Sequence, residues 1–142
     1  MTDQPPYSGK RAVERLAESI GYPEQVPQGA VSFMLRVDGM EVLAEEQGGR
    51  LVLSMTLSTD ESVLPKFASY AAGRMLREEA TLAVDRQNFR VFLWQAAPLP
   101  ADSRTLRRLF ETFMNSCDWW RERADDLKGE SRSEPDTMVI RP

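Results

Sequence analysis

Histidine is missing from the chain altogether, and cysteine occurs once, at Cys117. Without histidine the Ser-His-Asp and Cys-His catalytic arrangements are excluded, as are His-ligated zinc and non-haem iron sites. A lone cysteine forms no internal disulfide, which fits a reducing compartment. No apolar run approaches the roughly 20 residues that cross a bilayer, and the N-terminal stretch lacks the basic, apolar, small-residue order of a secretion signal. The expectation is a soluble chain, not inserted in a membrane, that stays where it is made. Positive charge is short as well: 18 basic residues against 22 acidic ones leave a net −4, a field that repels phosphate backbones and anionic lipid. Nucleic acid is therefore not an expected partner. Lysine is the scarce cation, three against fifteen arginines. Arginine suits planar, partly buried pairing at interfaces, although genome base composition accounts for the same count.

The search for chemistry stays empty in the remaining residue types. Gly48-Gly49 runs into Arg50 and a strand, whereas a phosphate cradle needs a helix N-terminus after it. Cys117 falls on an apolar stripe and reads as a small buried hydrophobe. Asp38 and Asp85 sit in turn positions, and Glu41, Glu45 and Glu46 read as solvated strand residues. No catalytic residue, metal-ligand set or cofactor motif is assigned, and the chain is expected not to be an enzyme.

What is present is the patterning of one domain. At 142 residues the chain is long enough to bury a real core, roughly 68–70% of the surface its unfolded form exposes. Residues 1–7, with two adjacent prolines, read as a flexible lead-in, and residues 8–127 as the folded unit. Ser8 is placed to cap a helix with Val13, Leu16, Ala17 and Ile20 at helical spacing, ended by Gly21 and Pro23. From Val31 the period becomes two, with Phe33, Leu35 and Val37 alternating against Ser32, Met34 and Arg36. Asp38-Gly39 and Gly48-Gly49 then predict two hairpin turns, giving a three-stranded meander through Met40–Glu46 and Leu51–Leu57.

A second helix is expected from about Pro65 to Glu79. At 100° per residue its apolar positions, among them Phe67, Tyr70, Ala71 and Met75, cover roughly two-thirds of the circumference. Such a helix needs two surfaces to pack against. Two strands follow, Thr81–Val84 and Phe89–Ala96, and the second is apolar on both faces. Asp102 or Ser103 caps a last helix whose stripe runs from Leu106 to Leu127 and leaves Trp119 aside. Residues 128–142 are polar and proline-containing and read as a disordered tail. The predicted order is α-β-β-β-α-β-β-α, an α+β fold with a mainly antiparallel five-stranded sheet packed by helices.

Several apolar side chains are left over. Met34, Val52, Phe92 and Trp94 point away from the Leu-rich face, and Trp119 lies off its stripe. Either a second layer of the same chain covers them or a polypeptide partner does. They are the candidate binding residues. Phe67, Tyr70, Ala71, Arg74 and Met75, on the broad apolar helix, are the candidate homodimer contact.

The segments Phe33-Met34-Leu35-Arg36-Val37-Asp38-Gly39, Ala80-Thr81-Leu82-Ala83-Val84-Asp85, Val91-Phe92-Leu93 and Leu106 through Phe113 to Trp119-Trp120 stand in a familiar order and spacing. In these the chain resembles the class I chaperones of bacterial type III secretion, over most of Val13 to Ala124. The resemblance implies a bacterial cytoplasmic homodimer. It would wrap an extended N-proximal segment of a secreted effector around itself, without nucleotide hydrolysis, keeping the segment soluble and export-competent. It implies the export-apparatus ATPase as a further partner. One stretch departs: the family often has glycine and asparagine between the second helix and fourth strand, where this chain has Arg74-Met75-Leu76-Arg77-Glu78-Glu79. Local dimer or partner contacts are expected to differ there. The alternatives are an adaptor of the same fold outside secretion, or a ligand-binding or enzymatic α/β domain, which would need a deep pocket with convergent polar groups.

Overall fold

A computed structural model describes residues 10–22, 26–74 and 77–140, with side chains as far as residue 127. Helix α1 (Ala12–Ile20) is followed by strands β1 (Ser32–Val37), β2 (Met40–Gln47) and β3 (Arg50–Ser58). A short 3-10 turn at Glu61–Val63 leads into α2 (Leu64–Arg74); then come β4 (Thr81–Asp85), β5 (Arg90–Pro98) and α3 (Ser103–Ile140). The strands form one sheet in the order β1-β2-β3-β5-β4, with every neighbouring pair antiparallel. This is the α+β architecture expected from the sequence.

Turn chemistry sets the meander. Asp38 and Gly39 both take positive φ, 50° and 78°, as do Gly48 and Gly49, 54° and 77°. Two consecutive left-handed residues make the tight turn whose twist matches the flanking strands, and Asp-Gly and Gly-Gly adopt it at least cost. The resulting register places Leu35, Val42, Leu53 and Leu93, all fully buried, on one face. Onto that face α3 packs across β3 and β5, while α1 lies beside α3 against β2. The stripe predicted for α3 is the one buried: Leu106, Phe113, Cys117 and Trp120 are wholly enclosed, joined by Val13 and Leu16 of α1. Each large apolar side chain so enclosed contributes about 1.5–3 kcal/mol of transfer free energy.

Three boundaries differ from the sequence reading. Ser8 lies outside the described residues, and α1 starts instead after Arg11, whose N–H donates to the Glu14 carboxylate at 3.0 Å. Its other end is as expected, with Gly21 left-handed at φ 90°. Helix α2 is described only to Arg74, and Arg77 to Ala80 are not helical, so Glu78 stands outside the helix predicted to contain it. The backbone of residues 128–140 continues α3 where the pattern suggests a tail, because the loss of an apolar stripe removes packing without forbidding helical backbone. The lead-in, residues 1–7, and the last two residues lie outside the described region.

Candidate functional site

Strand pairing brings the predicted binding residues of the sheet together. Met34 is opposite Leu43, Leu43 opposite Ser54, Ser54 opposite Trp94, and Trp94 opposite Thr81, one continuous row across all five strands. Beside it run Glu45, Val52 and Ala96 on one flank and Thr56, Phe92 and Ala83 on the other. At about 4.8 Å per strand, Met34 and Trp94 stand roughly 14 Å apart along the row. All these side chains point away from the helical layer. Met34 is 44% exposed, Leu43, Phe92 and Trp94 are half-buried, and Val52 is only 8% exposed.

Two arginines lie over the aromatic part of this open face. The Arg90 guanidinium sits 4.5 Å from the Phe92 ring centre, steered by a 3.1 Å hydrogen bond to Thr56 Oγ1 and by Asp85 at 3.7 Å. Arg50 lies 5.8 Å from the Trp94 ring. Such exposed cation–π contacts are worth about 0.5–1 kcal/mol, weak enough for an incoming apolar side chain to displace. Met34, Leu43, Phe92 and Trp94 are thus the accessible apolar groups on a face that also carries Glu45, Ser54, Thr56 and the two arginines.

Trp119 is not part of it. The helix α3 holds it on the other side of the molecule, edge-on to Tyr70 at 6.3 Å and to Trp120 at 5.1 Å, between the guanidinium groups of Arg74 and Arg123 at 4.2 and 4.1 Å. It belongs with α2. The candidate dimer residues divide in the same way: Tyr70, Ala71 and Arg74 are half-buried at the surface of α2, and Met75 lies outside the described residues. Phe67 is corrected, since it is 0% exposed within a single chain and packs 6.0 Å from the Trp120 ring.

A residue that the sequence reading missed holds this corner. The Glu78 carboxylate accepts hydrogen bonds from Trp120 Nε1 at 3.1 Å and Ser116 Oγ at 2.9 Å, and its side chain is 7% exposed. Arg74 Nε lies 2.9 Å away without hydrogen-bond alignment, so that contact is one of charge with charge. The available signal was the Arg74–Glu78 spacing of four, inside the stretch that departs from the family pattern. Nearby Cys117 is no nucleophile: burial first, then Asp118 and Glu78, push its thiol up to about 12. Among the described residues no cluster of three or more metal-ligating side chains occurs, and no helix is long and apolar enough to cross a membrane.

The Tir chaperone protein (CesT) family matches residues 11–121, most of the chain. This protein belongs to that family. Its helices and sheet also superpose on chains of three solved complexes. With a chain of the HopA1-SchA chaperone-effector complex the TM-score is 0.61 at 16% identity, covering 78% of this chain and 91% of the other. The ExsC-ExsE complex gives 0.57 at 17%, with the same coverages. The heterodimeric ExoU-SpcU complex from the type III secretion system of Pseudomonas aeruginosa gives 0.53 at 17%, covering 76% and 93%. At such identities the likeness is one of fold. None of the curated proteins compared matches this CesT-family chain.

Proposed function

We infer that this chain is a cytoplasmic, homodimeric chaperone of type III secretion. It holds an extended N-proximal segment of one or more secreted effectors soluble and ready for export, and hydrolyses no nucleotide. The observation that carries this reading is the row from Met34 through Leu43 to Trp94, flanked by Phe92 and Val52, on the sheet face opposite the one that α3 packs across. Family membership and a fold shared with a chain of a chaperone–effector complex support the kind of partner. Effector contact is assigned to Met34, Val52, Phe92 and Trp94, with Arg50 and Arg90 yielding as the segment arrives.

Self-association belongs to the same reading. Between α2 and β4 lies an open trough of about 540 Å³ where Ala68 and Ala72 face Leu82 and Val84. A second copy would cover it, with Ala71 in the contact and Tyr70 and Arg74 beside it. The effector assignment is tested by Trp94→Ala and Phe92→Ala, titrated with the effector segment that co-purifies with the chain. Each is expected to weaken binding by about 1–2 kcal/mol or more, roughly tenfold, with little change in melting temperature. A large drop in melting temperature with unaltered affinity would remove these aromatics from the site.

A further inference from the structure

The sheet is split at one end. Strands β2 and β3 are paired from Gln47↔Arg50 only as far as Leu43↔Ser54. Beyond that point β2 continues to Met40 with β1 alone, and β3 continues to Ser58 with β5 alone, past a bulge at Leu57. Met40–Val42 and Met55–Ser58 thus each have a ladder partner on one side only. Between them opens a wedge of about 450 Å³, walled by Met34, Met40, Leu43, Met55 and Leu57 and closed on its inner side by Ala124 of α3.

Three features of the wedge specify its occupant. Two strands with one free side each present alternating N–H and C=O groups, which another extended backbone matches and few small molecules do. Three thioether side chains adapt to apolar groups of varied shape. The rim carries Arg90 and Arg121 against Glu41 and Asp125, a balance that favours no anion or cation. The wedge is also continuous with the open face, because Met34 and Leu43 belong to both.

The geometry points to this wedge as a second seat for the polypeptide partner, distinct from the outer row of aromatics. The partner's main chain pairs with the one-sided stretch of β2 or β3, and one of its apolar side chains lies among Met34, Met40 and Met55. This rests on the reading that the partner is an extended polypeptide segment. The full chain, labelled with 13C at its methionine methyl groups, is titrated with fluorescein-labelled peptides tiling the N-proximal regions of the secreted proteins encoded beside its gene. Anisotropy identifies the peptide that binds; Met40→Leu and Met55→Leu assign the two inner signals. Expected are intermolecular NOEs from the Met40 and Met55 methyls to peptide protons, with Met114, outside the wedge, unmoved. A peptide that binds and shifts Met34 while Met40 and Met55 show neither shift nor NOE would overturn the wedge and leave the open-face reading standing. If no peptide binds by anisotropy, the partner reading fails and the wedge fails with it.

Discussion

One carboxylate ties three elements together at the corner of α2, β4 and α3. Glu78 satisfies the Trp120 indole N–H and the Ser116 hydroxyl, both on α3, and faces the Arg74 guanidinium at the end of α2. Removing it would leave two donors in the interior without an acceptor, at about 1–3 kcal/mol for each such group. Glu78→Ala is therefore expected to lower stability by about 2–3 kcal/mol in urea titration, and Glu78→Gln, which keeps one acceptor, by less. Equal losses would mean that the charge opposite Arg74 dominates. In the sequence only its spacing of four from Arg74 marks Glu78, and a glutamate beside another glutamate otherwise reads as surface. Phe67 misleads in the opposite sense: periodicity places it on a broad apolar arc, but only tertiary packing decides which part of that arc meets Trp120. Trp94 and Trp119 look alike as surplus aromatics, and it is the cross-strand register that puts one in the sheet row and leaves the other against Tyr70.

Among the elements, α3 is the one whose start the sequence announces most directly. Asp102 accepts from the Thr105 N–H at 2.7 Å, and this backbone bond, followed by the Thr105 side chain, holds its carboxyl below the ordinary 3.8. A carboxyl with a lowered folded value stabilises the fold above the unfolded value, and its contribution fades as pH falls through the folded one. Asp102→Ala should accordingly melt at a lower temperature than the parent at neutral pH, and the gap should narrow once pH drops below 3.8. A gap independent of pH would separate the cap from its charge. Elements were legible wherever a local signal suffices: Asp38-Gly39 and Gly48-Gly49 set two hairpins, and alternation set the buried face of β1 and β3. Less legible were features fixed by neighbours, such as the end of α2 and the parting of β2 from β3 after Leu43. A bulge at Leu57 turns β3 with β5, and no residue near it advertises the turn.

At the scale of the molecule, the helical layer lies on one side of the sheet, and α2 is left with Ala68 and Ala72 uncovered beside β4. A two-fold contact there would set identical residues near each other, so a new negative charge meets its own copy. Ala72→Glu combined with Tyr70→Glu is expected to sediment as a monomer with retained helix and sheet dichroism. An unchanged dimer would move the interface elsewhere. The same corner supplies an optical gauge of this event. The indoles of Trp119 and Trp120 stand 5.1 Å apart and inclined at 76°, a chiral arrangement in which their transition dipoles couple. Trp120 is fixed in the core, while Trp119 lies edge-on to Tyr70 of α2. Any covering of α2 that tilts Trp119 alters the exciton couplet of the pair. Under the homodimer proposed above, association would be followed in the circular dichroism of the unlabelled chain as its concentration is varied.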